Sequence, residues 1–414
     1  MIDIDFEFHP IGQGLFYSGI FNHRNGNQFS MVYDCGSDST PSKYLENQVD
    51  EFVNRLVDDD DKKLDVLFVS HFHRDHINRI SYLLNKTNGA KNVILPYLKE
   101  NEMFLALFDF ITGDDFVDSQ GNFNEDIFNL ISSPVSFFRE RKVDKIIFIH
   151  PDNDDDKDEN FGNNEGKPDN PDSPNFQFNF EINLKPNQKE TSKDSDVIHF
   201  YSKGILSVNR FWEFKLFNKP RASETVDAFK EVIKILIKSK DLSPSKISLF
   251  IKSNKKTFKK DFQTIYFKHF GKGELINQTS LIVYHGATNN DLWKNPYFYH
   301  PFPSRYTGTF LCADITLDVT CINDLKRKWI HYNKYFDNVV LFQVPHHGSE
   351  NDMDLQVFQE FTNTEVWLIN FGLGNTHDHP RQKIVNMLAD SAGVHKIVLN
   401  TQIKPFYYHF RYYR

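Results

Sequence analysis

The chain has 414 residues, of which 39% are hydrophobic and 15% aromatic, and a formal net charge of −8. That length accommodates one elaborated domain with an insertion, or two domains, around a sizeable core. The acidic balance argues against broad adhesion to DNA, while a local basic groove beside a metal site still permits a nucleic-acid substrate. Three widely spaced cysteines, Cys35, Cys312 and Cys321, imply no disulfide framework. The opening "MIDIDFEFHPIGQG" has no basic or apolar leader region, and no apolar run reaches about 18 residues. A cytoplasmic protein without a membrane span is therefore expected.

Along the chain, "FEFHPIGQGLFYSGIF" and "NQFSMVYDCGS" read as two strands turning at Asn25-Gly26. "LDVLFVS" is an apolar run of strand length. A helix is expected behind the histidines that follow it, with Ile77, Ile80, Leu83 and Leu84 on one face and Asn88-Gly89 at its end. "KNVILP" and "DKIIFIHP" read as buried strands flanking a helical stretch broken near Gly121 and Pro134. Residues 151–175 are rich in Asp, Asn, Gly and Pro and nearly free of apolar side chains, which predicts an acidic flexible loop. Its carboxylates lack EF-hand spacing and read as a solvated run. Ser223 can cap an amphipathic helix through Leu236, and "KKTFKKDFQTIYFKHF" predicts a Lys-rich helix with a solvated face. Strands return with "TSLIVYH", "TGTFLCADI", "NVVLFQVP" and "EVWLINFG".

The chemistry concentrates in "HFHRDH" directly behind the "LDVLFVS" strand. On an extended loop alternate residues point the same way, so His71 and His73 can grip one cation, and Asp75 and His76 can turn to a second. Imidazole and carboxylate donors of this kind suit Zn²⁺, and also Mn²⁺ or Fe.

This string resembles the signature of the metallo-β-lactamase superfamily. The resemblance implies an α/β fold of the αββα sandwich type, with one or two divalent metal ions, Zn or Mn, at one edge of two facing sheets. It implies further ligands after downstream strands. Asp314 matches the bridging aspartate, with Ala313 where the family's usual glycine stands. A carboxylate there offsets the mutual repulsion of two cations. In "VPHHGS", His346 or His347 would close the second metal site and the other would contact substrate or move a proton. Asp34, at the end of the strand "MVYD", matches an aspartate that orients a metal-bound histidine, or else forms a turn before Cys35-Gly36.

"IGQG", "NQTSLIVYHG", "FLCADI", "VPHHGS" and "GNTHDHP" occur in the order seen in the hydrolase domain of bacterial competence DNA-uptake proteins and its stand-alone relatives. That likeness covers roughly residues 6–96 and 275–405. Asn277 stands near the place of the superfamily's third first-site histidine, which predicts a weaker first metal and a firmer second one. His285, at the far end of the same strand, is an unfavoured substitute. His379 can hydrogen-bond a phosphate or protonate a leaving group, or else open a helix with Pro380 at its first position. Ser349 can bind phosphate or cap the following helix.

The expected organisation is 1–96 and 276–414 as the two halves of the sandwich, with 97–275 as a large insertion forming a cap or accessory region that selects substrate or engages a protein partner. The expected function is a metal-dependent phosphodiesterase or nuclease acting on a nucleic acid or nucleotide, with Asp75 and His379 as catalytic residues and metal-activated water as nucleophile. Hydrolysis of a thioester, lactone or lactam, and a non-catalytic metal-stabilised binding or sensing module, are the alternatives.

Overall fold

A computed structural model describes residues 2–39, 43–57, 63–98, 124–151, 175–181, 195–201, 205–219, 280–290, 293–298, 306–329 and 331–412, with scattered positions between 102 and 110 and at 231 and 234. Asn277, the acidic loop beyond Pro151 and the two helices expected between 223 and 270 fall outside these residues, apart from positions 231 and 234.

The first half of the chain carries strands β1 (Ile2–Phe8), β2 (Gly14–His23), β3 (Gln28–Ser37), β4 (Leu64–Phe68), β5 (Ala90–Pro96), β6 (Lys145–His150), β7 (Phe178–Glu181) and β8 (Val197–Tyr201). The second carries β9 (Ile205–Val208), β10 (Trp212–Asn218), β11 (Leu281–Ala287), β12 (Trp293–Phe298), β13 (Gly308–Leu311), β14 (Val339–Gln343), β15 (Val366–Asn370), β16 (Ile397–Asn400) and β17 (Phe406–Tyr412). They form two sheets, ordered β12-β17-β1-β2-β3-β4-β5-β6-β8 and β16-β15-β14-β13-β11-β10-β9-β7. The runs β3-β4-β5-β6-β8 and β13-β14-β15-β16 are parallel.

Parallel strands covered on both faces read as continuous apolar runs because every position is buried. In β4, Val66 and Phe68 face the opposite sheet, whereas Leu67 packs toward helices. One apolar core lies between the sheets and includes Phe6, Tyr33, Phe68, Trp212, Phe214 and Leu311. A second joins the outer face of the first sheet to the helix Lys43–Asn54, which buries Leu45, Val49, Phe52 and Val53 at helical spacing. A third joins the other sheet to the helices Val319–Lys328 and Gln382–Ala392. The layers are thus α, β, β, α, the fold class the sequence predicts.

Three expectations change. The stretch read as one strand from Phe6 to Phe21 is two antiparallel strands, β1 and β2, joined through "HPIGQG". Gly12 (φ 79°) and Gly14 (φ 128°) take backbone conformations that L side chains rarely adopt, and a Cβ on Gly14 would stand 2.4 Å from the Asp75 carbonyl oxygen. The chain between 97 and 275 is not a cap throughout. It supplies β6 to β10, whose inward residues, among them Ile147, Ile149, Phe200, Trp212 and Phe214, complete the core between the sheets. The helix expected behind the histidines is two short ones, Arg74–Ile77 and Ile80–Lys86, and it buries the four predicted apolar residues.

Candidate metal centre

Sheet order brings the loops after β4, β13, β14 and β15 to one place. Extended backbone carries β4 into Ser70-His71-Phe72-His73, and the helix Arg74–Ile77 then turns Asp75 and His76 inward. Two donor groups result: Asp75, His76, Asp314 and His347 in one, and His71, His73 and Asp314 in the other, with the ligand atoms of each group within 4.8 Å of one another. Asp314 joins them. Its Oδ1 lies 3.2 Å from His76 Nε2 and 3.8 Å from His347 Nε2, while its Oδ2 lies 3.8 Å from His71 Nε2. Asp75 Oδ2 stands 3.2 Å from His347 Nε2.

Three of these imidazoles, His71, His76 and His347, are held from behind. Asp34 is the extra residue of a bulge in β3, since Phe16 pairs with Cys35 and Tyr17 with Tyr33. The bulge gives Asp34 a φ of 59° and aims its carboxylate at the site, so Asp34 sits within a strand rather than at its end. His76 Nδ1 donates to Asp34 Oδ2 at 2.8 Å, and Ser70 donates to the same carboxylate from its backbone at 2.7 Å and its hydroxyl at 2.5 Å. With its proton spent on Asp34, the Ser70 hydroxyl accepts from His71 Nδ1 at 2.8 Å. His347 Nδ1 donates to the Asn370 carbonyl at 2.8 Å. With Nδ1 committed in this way, all three rings turn Nε2 toward the centre, the atom a metal would take in place of a proton.

His71 Nε2, His76 Nε2 and Asp314 Oδ1 are buried without a hydrogen-bond partner. Unpaired buried polar atoms are costly, and three converging on one space fit a divalent cation. The charges agree. Burial, followed by the neighbouring His76 and His73, pushes the His71 imidazole well below its ordinary pKa. Against burial that opposes both shifts, Asp314 and Asp75 drive His76 well above its ordinary value, while His76, His347 and His346 hold Asp314 well below the carboxylate range. Two buried carboxylates demand positive charge here, and a cation supplies it as well as a proton does.

The structure separates the two histidines of "VPHHGS". His347 belongs to the donor group, whereas His346 Nδ1 donates to Asp352 Oδ2 at 2.6 Å and its Nε2 lies 4.0 Å from Asp314 Oδ2. Asp352 also accepts from Thr316 at 2.6 Å. This carboxylate and Asp314 raise the His346 imidazole to about 9 although burial opposes them. Ser349 hydrogen-bonds Asp352. Ser349 does not cap the following helix, Val357–Glu360, which starts beyond it. The His379 ring lies 5.3 Å from that of His346 and 6.5 Å from that of His347. Burial, then His346 and His347, lowers it to about 4, and its Nδ1 is buried without a partner. Pro380 does not open the following helix, which begins at Gln382. His285 lies away from the centre, bonded to Tyr17 at 2.8 Å and to Trp212 at 3.3 Å.

Several contributors were invisible in the sequence. Ser70 and Asp352 are ordinary polar residues until folding sets them behind His71 and His346. Gln343 is another: its carboxamide oxygen accepts from the backbone N–H of Cys312 and Ala313 at 3.1 and 3.2 Å, fixing the turn that presents Asp314. Ala313 has a φ of 46° in that turn, which explains why a glycine would be at ease there.

The family model of the metallo-beta-lactamase superfamily matches residues 24–167. That match covers about a third of the chain, and the four-layer sandwich is consistent with the metallo-beta-lactamase fold, whose superfamily members bind divalent metals. Similar solved structures are the metallo-beta-lactamase fold protein YhfI from Bacillus subtilis and a long form RNase Z from yeast. YhfI is 8% identical over 98% of this chain and 99% of that chain, at a TM-score of 0.37. The RNase Z is 10% identical over 90% of this chain at a TM-score of 0.32, and the chain spans 36% of its length. No curated protein matches the chain. Among the described residues no helix is long and apolar enough to cross a membrane.

Proposed function

We propose that the chain is a metal-dependent hydrolase that cleaves a phosphodiester in a nucleic acid or nucleotide. The observation that carries the hydrolase reading is the sharing of Asp314 between two groups of donors, in which His71, His76 and His347 turn Nε2 toward the centre. His71, His73 and Asp314 would hold one cation, and Asp75, His76, Asp314 and His347 the other, with Zn²⁺ or Mn²⁺ suited to both. Such ions, when bound, supply Lewis acidity toward water and the scissile group near neutral pH.

The protein's own groups do the rest. Asp75, the least enclosed of the four donors in its group, orients the attacking water. His346 and His379 border the centre and offer hydrogen bonds to non-bridging and leaving oxygens. Asp34 and Ser349 act from behind, on His76 and on Asp352. The phosphodiester choice draws on the likeness of "VPHHGS" and "GNTHDHP" to the competence hydrolase domains, together with these two extra imidazoles.

The experiment is turnover of single- and double-stranded DNA, RNA and cyclic nucleotides with Mn²⁺ or Zn²⁺, comparing the protein with Asp75→Ala. Metal-dependent cleavage of at least one substrate, lost in the variant, is expected. Activity confined to a thioester, lactone or lactam panel would refute the phosphodiester reading, and metal binding without turnover of any of these would refute the enzyme.

A further inference from the structure

The loop after β15, from Gly372 to Pro380, carries His379 to the edge of the centre, and one side chain organises it. The Asn375 carboxamide nitrogen donates to the Gly372 carbonyl at 2.8 Å and to the His379 carbonyl at 2.7 Å. Its oxygen accepts from the backbone N–H of His377 at 3.0 Å and of His379 at 3.1 Å. Two donors and two acceptors match the full capacity of an amide and fix which end is which. The carboxamide therefore ties the start of the loop to both backbone groups of His379.

The loop is seated as well as tied. Gly348, in the turn that bears His346 and His347, leaves room for Pro380, since a Cβ there would lie 2.7 Å from the proline Cβ. Arg381 N–H donates to the Gly348 carbonyl at 3.0 Å. At the other end, the Asn370 carbonyl fixes the His347 ring, and Gly372 passes close to Gln13. The loop thus rides on the turn that supplies one donor of the centre. No contact from outside the loop holds the His379 backbone with comparable reach among the described residues.

We propose that Asn375 is a positioning residue for the reaction: its carboxamide presents the His379 imidazole to the substrate beside the metal-binding clusters. This rests on the phosphodiesterase reading for its consequence in turnover, but the placement of His379 is measurable without it. Asn375→Asp is the sharpest substitution, because it keeps size and acceptors while setting a carboxylate oxygen against two carbonyl oxygens. The loop should then open and release His379. A displacement of about an ångström at a reacting group costs on the order of 100-fold in rate.

The test has two readouts on the full chain as isolated. In the first, the protein is labelled with ¹³C at histidine Cε1, and the His379 resonance is assigned by its loss in His379→Ala. In Asn375→Asp and Asn375→Ala this resonance should move to the position of a solvent-exposed histidine, while those of His71, His76 and His347 stay in place. In the second, kcat is measured across the cycle formed by Asn375→Asp, His379→Ala and the double variant. Each single change should lower kcat by roughly 100-fold, with metal content unchanged, and the double variant should be no slower than His379→Ala. An unmoved His379 resonance, or full additivity in the cycle, would overturn the proposal. If the unsubstituted protein cleaves no phosphodiester, the functional reading falls and the resonance alone decides the role of Asn375.

Discussion

Asp34 governs one imidazole in each donor group, directly through His76 and by way of Ser70 through His71. In Asp34→Asn the amide oxygen can still accept from the Ser70 backbone N–H. The amide nitrogen, now a donor, would face His76 Nδ1 and the Ser70 hydroxyl, both of which donate to the carboxylate today. His76 can meet that donor only by moving its proton to Nε2, the atom aimed at Asp75 and Asp314. Its lone pair is then lost to a cation. Removal of a hydrogen-bond partner behind a metal-binding histidine typically weakens affinity 10- to 100-fold, or about 1.4–2.7 kcal/mol. The group of Asp75, His76, Asp314 and His347 should suffer most, and the group of His71 and His73 less, because its link runs through a hydroxyl that can rotate. Competition with a chromogenic chelator, combined with native mass spectrometry for stoichiometry, separates the two sites. A folded Asp34→Asn that binds Zn²⁺ and Mn²⁺ within twofold of the unsubstituted protein would refute the tautomer argument.

Two further outcomes concern the scaffold. His285 is fully buried in a hydrogen-bonded chain with Trp212, Tyr17, Tyr408 and Thr309, and burial lowers its pKa from 6.5 to about 3. The unfolded chain therefore binds this proton first, so the stability due to neutral His285 is complete above pH 6.5 and is lost as pH falls toward 3. Up to about 5 kcal/mol is at stake. His285→Gln keeps a donor and an acceptor but cannot titrate, so urea unfolding between pH 6.5 and 4 should lose part of its slope; an unchanged slope would contradict the assignment. Gly14→Ala would place a methyl 2.4 Å from the carbonyl oxygens of Asp75 and Gly36, whereas at Gly26 nothing lies within 4 Å. Both have positive φ, so Gly26→Ala should cost about 1 kcal/mol from backbone strain and Gly14→Ala about 2 kcal/mol or more beyond that. Equal denaturation midpoints for the two variants would show that the IGQG loop does not press on Asp75.

Much of the fold was legible because buried parallel strands write themselves as apolar runs. "LDVLFVS", "KNVILP", "DKIIFIHP" and "NVVLFQVP" each became a strand for that reason. Within 97–275 the strands after β6 were not legible because they are short and separated by polar sequence, and only pairing shows that β10 lies beside β11 and β9 beside β10. Asp34 looked like a strand end because a bulge leaves no mark in composition.

The sequence by itself determined which residues can carry the chemistry: the closely spaced His71, His73, Asp75 and His76, and the later Asp314 and His346-His347, each placed after an apolar run. Local order sufficed, since ligand type and spacing along one loop are properties of the chain. Which histidine of the pair faces the donors, and which faces Asp352, was decided only by tertiary structure. So were the tautomers of His71, His76 and His347, set by Ser70, Asp34 and the Asn370 carbonyl. The choice between the pair depends on Asp75, 272 residues from His347 and within 3.2 Å of it only when the two sheets pack, while the tautomers depend on partners whose placement follows from the folded loops and not from composition.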